Sequence, residues 1–170
     1  MAAGLRLLGP LSRFGFTVAA ATLVIDQAVK LWLLERFDIA AAGRVAVAPF
    51  FDLVLVWNRG ISYGLFPQDG DLGRWVLVGV KLSAATLLVF LLARTVRRIT
   101  ALAFGLIIGG ALGNAIDRIV HGAVADFFLL HWHGFEWYVF NVADVAIVAG
   151  VIGLLYESLF DRRKNAANAE

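Results

Sequence analysis

The sequence predicts an all-α polytopic membrane protein of four transmembrane helices, with a small extramembrane β element between helices one and two. Three observations carry this. Of the 170 residues, 61% are hydrophobic and 16% charged, against about half and about a quarter in an ordinary soluble domain. The mean hydropathy of +0.80 holds for the chain as a whole. Four separate runs also reach the roughly 20 helical residues needed to cross a hydrocarbon core. One membrane domain over residues 1–170 is expected.

The runs lie near Phe14–Leu34, Gly73–Ala93, Ile99–Val120 and Tyr138–Phe160. Inside a bilayer an unpaired backbone group is so costly that each run must be helical, and glycine there permits close helix approach. Gly109, Gly110 and Gly113 are candidates for that packing. The first run is too long for a signal-peptide h-region and contains Asp26 and Lys30, so a retained helix is expected rather than a cleaved leader. Between runs one and two, within 35–72, Asp52-Leu53-Val54-Leu55-Val56-Trp57 has β-branched and aromatic content followed by a Gly-rich turn. The polar tail 165–170 reads as disordered.

Positive charge sets the expected orientation, because cytoplasmic flanks are rich in Lys and Arg. Arg6 and Arg13, then Arg94, Arg97 and Arg98, then Arg162, Arg163 and Lys164 fall on one side of a four-span topology. Both termini are therefore expected in the cytoplasm, with Glu35–Leu72 and His121–Trp137 facing outward. The net charge of +2 forms no basic stripe, which argues against nucleic acid. Without cysteine, disulfides, thiolate metal sites and cysteine nucleophiles are excluded. His121, His131 and His133 lack a clear further ligand, so no metal and no cofactor is expected.

Ionisable groups in or beside membrane helices are costly, and each is a functional candidate. Asp26 and Lys30 share a helix face, where an ion pair that anchors packing and a substrate-orienting role are both open. Lys81, with Ser83 nearby, raises a Ser/Lys hydrolase, but positions two apart do not meet on a helix; a snorkelling or paired lysine is the simpler reading. At the end of the third run Asn114, Asp117 and Arg118 fall on one face. Asp126 follows in the apolar setting Val124-Ala125-Asp126-Phe127-Phe128, where desolvation would raise its pKa and keep it protonated near neutral pH. Asn141 and Asp144 are spaced to share a face at the outward end of the fourth run.

Topology lets Asp126 and Asp144 approach one point from either side of the last outer loop. Two carboxyls sharing a site cannot easily both ionise, so one becomes a base and the other an acid, as activation of water against an amide requires. A proton-coupled transporter would also use intramembrane Asp, Lys and Asn, but at several depths or in inverted repeats. A scaffold would leave the clustered carboxylates unexplained.

Five stretches, in order, resemble lipoprotein signal peptidase, or signal peptidase II, the bacterial membrane aspartic peptidase family. They are Asp26-Gln27 with Lys30; Asn58-Arg59-Gly60-Ile61-Ser62-Tyr63-Gly64; the run Gly109 to Arg118; Val124-Ala125-Asp126-Phe127; and Phe140-Asn141-Val142-Ala143-Asp144. The resemblance implies a catalytic dyad of Asp126 and Asp144, with Asn58, Gly60, Asn114, Arg118 and Asn141 shaping the site. Asp117 also matches a motif carboxylate; Asp126 is preferred because Asp117 has Arg118 and Asn114 as ready structural partners.

The implied substrate is a prolipoprotein bearing a diacylglyceryl cysteine, cut just before that cysteine at the periplasmic side of the inner membrane. Membrane lipid as surrounding partner, inhibition by the cyclic peptide globomycin, and a monomeric state are also expected. Ser62, Tyr63 and Ala125 depart from the residues frequent in the family, leaving the polar positions intact.

Overall fold

The structure, a computed structural model, describes residues 8–60 and 71–167, with side chains described as far as residue 159. Helix α1 (Ser12–Leu31) continues through a π-helical turn, Trp32–Arg36, and is followed by the short α2 (Ile39–Ala42). Strands β1 (Val45–Ala48) and β2 (Phe51–Asn58) precede α3 (Asp71–Leu92) and α4 (Arg98–His121). Strands β3 (Val124–Trp132) and β4 (Phe135–Glu136) then lead to α5 (Val142–Ala167). Four helical stretches, Ser12–Arg36, Asp71–Leu92, Arg98–His121 and Val142–Leu159, are long and apolar enough to cross a membrane.

Helix α4 is the hub: α1, α3 and α5 all pack on it. Lipid supplies no hydrophobic drive for helix association, so close van der Waals contact must do so, and small residues permit it. Ala101, Ala103, Gly105, Gly109, Gly110, Ala111, Gly113 and Ala115 are all buried along α4. A Cβ on Gly105 would stand 2.6 Å from the Gly15 carbonyl oxygen of α1, and one on Gly109 2.5 Å from that of Ala19. On the other side, a Cβ on Gly110 would stand 2.5 Å from the Ala143 carbonyl oxygen of α5. The outward faces keep Val24, Ile25, Leu87, Phe90, Ile152 and Leu155 exposed, as a lipid-facing surface requires.

The extramembrane sheet departs from the sequence reading. It is four-stranded, antiparallel and ordered β1-β2-β3-β4, so it draws on the segment between α4 and α5 as well as on 35–72. Val124–Trp132 was legible only as an apolar stretch inside a loop, and such a run becomes a strand only when a partner edge is available; β2 supplies it. The register pairs Val56 with Asp126 and Asn58 with Val124, which makes Asn58 and Asp126 diagonal neighbours on one face. Leu33, Ile39, Ala125 and Phe127 form the apolar cluster that seats the sheet over the end of α1.

The last helix also differs from expectation. It starts at Val142, not Tyr138, because Phe140 is held by backbone bonds to Phe127 and Phe128 and Asn141 serves as the cap. At the other end it continues to Ala167, past residue 165, from which the polar tail reads as disordered in the sequence. Residues 168–170 lie outside the described residues.

If contact at Gly109 holds α1 on α4, Gly109→Ala must push the helices apart and lower stability by about 1–3 kcal/mol, read as a drop in Tm in detergent. Gly79 has nothing within 4 Å of its notional Cβ. Gly79→Ala is therefore expected to leave Tm unchanged or raise it slightly, because glycine inside a helix costs about 0.5–1 kcal/mol relative to alanine.

Candidate active site

A cleft of about 370 Å³ opens between α3 and α5, with α4 as its floor and the sheet above. Val76, Leu77, Val80, Ile147 and Val148 form its apolar walls, and Lys81, Arg118, Asp126 and Asp144 are its charged lining. Asn58, Asn114 and Tyr138 complete the polar part.

Local structure aims each group. Asn141 is the N-cap of α5: its Oδ1 accepts from the Asp144 backbone N–H at 3.0 Å, while the Asp144 Oδ2 accepts from the Asn141 N–H at 3.3 Å. This reciprocal capping box satisfies donors that a helix start leaves unpaired. Their spacing predicts one shared helix face; they are instead a cap and a first-turn residue. Asp144 therefore sits in the turn where a helix favours an anion.

Two amides join the carboxyls. The Asn141 Nδ2 donates to Asp126 Oδ1 at 2.7 Å and to Asn114 Oδ1 at 3.1 Å. The Asn114 Nδ2 in turn donates to Asp144 Oδ1 at 2.9 Å. Asp126 thus connects to Asp144 through both asparagines, with Asn58 donating to its second oxygen at 3.1 Å. Burial, and next the charge of Asp144, push the Asp126 carboxyl up to about 7, against the bonds from Asn58 and Asn141. The desolvation anticipated from its apolar neighbours is the leading cause.

Behind the amides lies a second buried layer. The Lys30 ammonium sits 2.8 Å from Asp26 and 2.7 Å from Asp117, and donates to Asn114 Oδ1 at 3.3 Å. Asp26 reaches across from α1 to accept the Ala143 N–H of α5 at 2.9 Å, and the Asp26 carboxylate lies directly against Gly113, leaving no room for a Cβ. Asp117 accepts from Gln27 at 3.0 Å and from the Ala125 N–H at 3.2 Å. Its partners are therefore Lys30, Gln27 and the start of β3, not Arg118 and Asn114 as expected, and it does not line the cleft. An i,i+3 or i,i+4 relation shows which residues share a face but not which neighbouring helix meets it.

Arg118 turns instead toward the rim. Its Nη2 donates to the Gly60 carbonyl at 2.6 Å, and the Gly60 N–H donates to Asn58 Oδ1 at 3.0 Å, so α4 ties down the segment leaving β2. The rest of that motif, Ile61 to Gly64, lies outside the described residues. Two residues were undervalued in the sequence. Gln27 bonds to Asp26, the Gly113 carbonyl and Asp117; its place beside Asp26 was the available signal. Lys81 lines the cleft, whereas Ser83 does not.

Comparison with known proteins gives a consistent assignment. A family model described as signal peptidase (SPase) II matches residues 18–160. The chain is 56% identical over 153 residues to a lipoprotein signal peptidase of Methylobacterium sp. (strain 4-46), covering 90% of this chain and 93% of that one. It is 54% identical over 161 residues to a lipoprotein signal peptidase of Nitrobacter hamburgensis, covering 92% and 97%. A bacterial membrane enzyme solved by the in meso method at 2.3 Å shares the fold with a TM-score of 0.75 and 24% identity, over 88% of this chain and 90% of that one. A second such structure, at 1.9 Å, gives 0.71 and 25%, over 86% and 93%.

Folding raises the Asp126 pKa, and this makes stability depend on pH. Folded, the group holds its proton up to about pH 7; unfolded, it releases it near about pH 4. Between those values the folded state binds a proton that the unfolded state does not, so stability falls as pH rises through that window. Asp126→Asn removes this loss, and the Tm of the variant relative to the parent is expected to improve from pH 4 to pH 8. A constant difference would contradict the shift.

Proposed function

Since the chain belongs to the signal peptidase II family, whose members are multi-pass proteases of the bacterial inner membrane that cleave prolipoprotein signal peptides, we propose that it cuts by water activated between Asp126 and Asp144. The observation that carries this reading is the pair of asparagine amides bridging two carboxyls at one cleft.

In the proposed mechanism Asp126 begins protonated and Asp144 ionised. Asp144 takes a proton from water as the water oxygen bonds to the scissile carbonyl carbon, while Asp126 gives its proton to the carbonyl oxygen. Asp144 then passes the captured proton to the amide nitrogen, the C–N bond breaks, and a hydroxyl of the tetrahedral intermediate returns a proton to Asp126. The cycle ends with both groups as they began and uses neither metal nor covalent intermediate.

The same reading assigns the surroundings. Asn114 and Asn141 hold the carboxyls; Asn58, Gly60 and Arg118 shape the rim where the peptide lies; Asp26, Lys30 and Asp117 brace the amides from behind. The substrate is a prolipoprotein with a diacylglyceryl cysteine, cleaved on the N-terminal side of that cysteine. It enters from the side through the apolar walls of α3 and α5, with its acyl chains remaining in membrane lipid. Globomycin acts as a competing occupant. The positive flanks at Arg13, Arg94, Arg97 and Arg98 support cytoplasmic termini and a site at the outer face of a monomer. Family membership sets aside the transporter and scaffold readings.

The test uses purified protein with a diacylglyceryl-modified prolipoprotein and its unlipidated twin. Cleavage of the lipidated form, inhibition by globomycin, and a loss of about 10³-fold or more in kcat/KM for Asp126→Asn and for Asp144→Asn, each still folded, are expected. Full activity in either variant would refute the dyad. An Asp117→Asn protein that assembles normally but is inactive, beside an active Asp126→Asn, would reassign it.

A further inference from the structure

The proposed chemistry leaves one charged cleft residue without a task. Lys81 stands midway along α3, half-buried, in the lining that also contains Asp126 and Asp144. An ammonium at this depth is expensive unless something compensates it. No ion pair or hydrogen bond from its side chain is formed with the described residues. Its electrostatic partners are Asp144 and Asp126, attracting, and Arg118 and Lys30, opposing.

The charges around the cleft show what the lysine balances. From α1 come Asp26 and Lys30, and from α4 Asp117 and Arg118; these buried groups cancel among themselves. At the outer rim, Arg74 of α3 donates to the Ile119 carbonyl, and the exposed Arg59 has an interaction of its own. The Tyr138 hydroxyl adds no charge near neutral pH. What remains is Lys81 facing the two carboxyls. With one proton shared between them the pair carries a single negative charge, and together with Lys81 the cleft is neutral. Either other protonation state leaves a net charge in a poorly solvated space, which Coulomb energy disfavours.

We infer that Lys81 is the counter-ion of the aspartate pair, holding it in the singly protonated form that hydrolysis requires. It acts through the carboxyls rather than on the substrate. This rests on the dyad reading above, and the two can fail separately. Without the cation, the pair holds each of its protons more tightly, so both limbs of the pH–rate profile move to higher pH.

The experiment measures kcat and KM for a lipidated prolipoprotein between about pH 5 and 9, with the enzyme in phosphatidylcholine nanodiscs. Lys81→Met and Lys81→Gln are each expected to shift the acid limb upward by about half a unit or more, while Lys81→Arg keeps the parent profile. Unmoved limbs with only a higher KM would assign Lys81 to substrate contact and overturn the inference. So would a Lys81→Arg protein shifted like Lys81→Met, or a failure of both neutral variants to fold while Lys81→Arg folds. If Asp126→Asn or Asp144→Asn retains full activity, the dyad reading itself has failed.

Discussion

Two carboxyls in a poorly solvated cleft repel each other when ionised, and something must hold them close. Here the holding is done by the side-chain amides of Asn114 and Asn141, each of which donates to one carboxyl while a third bond joins the two amides. An amide suits the position because it offers two donors and an acceptor without adding charge. The carboxyls can therefore change protonation state without a change in the charge of what supports them. Asn141 has the additional task of capping α5, so one residue sets both the start of that helix and the place of Asp126.

The amides need a rigid backing, and the membrane helices supply it. Lys30 reaches Asp26, Asp117 and Asn114 together, and Asp26 continues to the Ala143 N–H of α5, so α1, α4 and α5 are pinned at one level. Such a layer forms only if the backbones come unusually close, which is the role of Gly105, Gly109, Gly110 and Gly113 along α4. Packing and polar bonding are thus mutually dependent. The sheet adds the third side, since pairing of β2 with β3 sets Asn58 beside Asp126. Lys81, from α3, completes the electrostatics from the lipid-facing wall.

The four spans were legible because bilayer thickness imposes a length on apolar runs, and Phe14–Leu34 lies wholly inside the helical stretch observed. The polar cluster was legible because charge in such runs demands compensation, which singles out Asp26, Lys30, Asp117, Arg118 and Asp144, with Asn114 on the same helix face as Asp117 and Arg118. Strand β3 was not, because an apolar run becomes a strand only through an edge contributed by a distant segment. The start of α5 was also misplaced: hydropathy extends through Tyr138 and Phe140, whereas the cap at Asn141 ends the extended segment. Partner choice was least accessible. Spacing put Asp117 with Arg118, but tertiary packing gave Asp117 to Lys30 and Gln27 and sent Arg118 to Gly60.

In the proposed dyad one proton resides on the aspartate pair near neutral pH, mainly on Asp126, whose carboxyl burial pushes up to about 7. Infrared titration of the purified protein tests it directly, because a protonated carboxyl has a C=O stretch distinct from that of a carboxylate. A protonated-carboxyl band that titrates near pH 7 and is absent from Asp126→Asn is expected. A spectrum with no protonated carboxyl at pH 6, or a band that Asp126→Asn leaves unchanged, would contradict it.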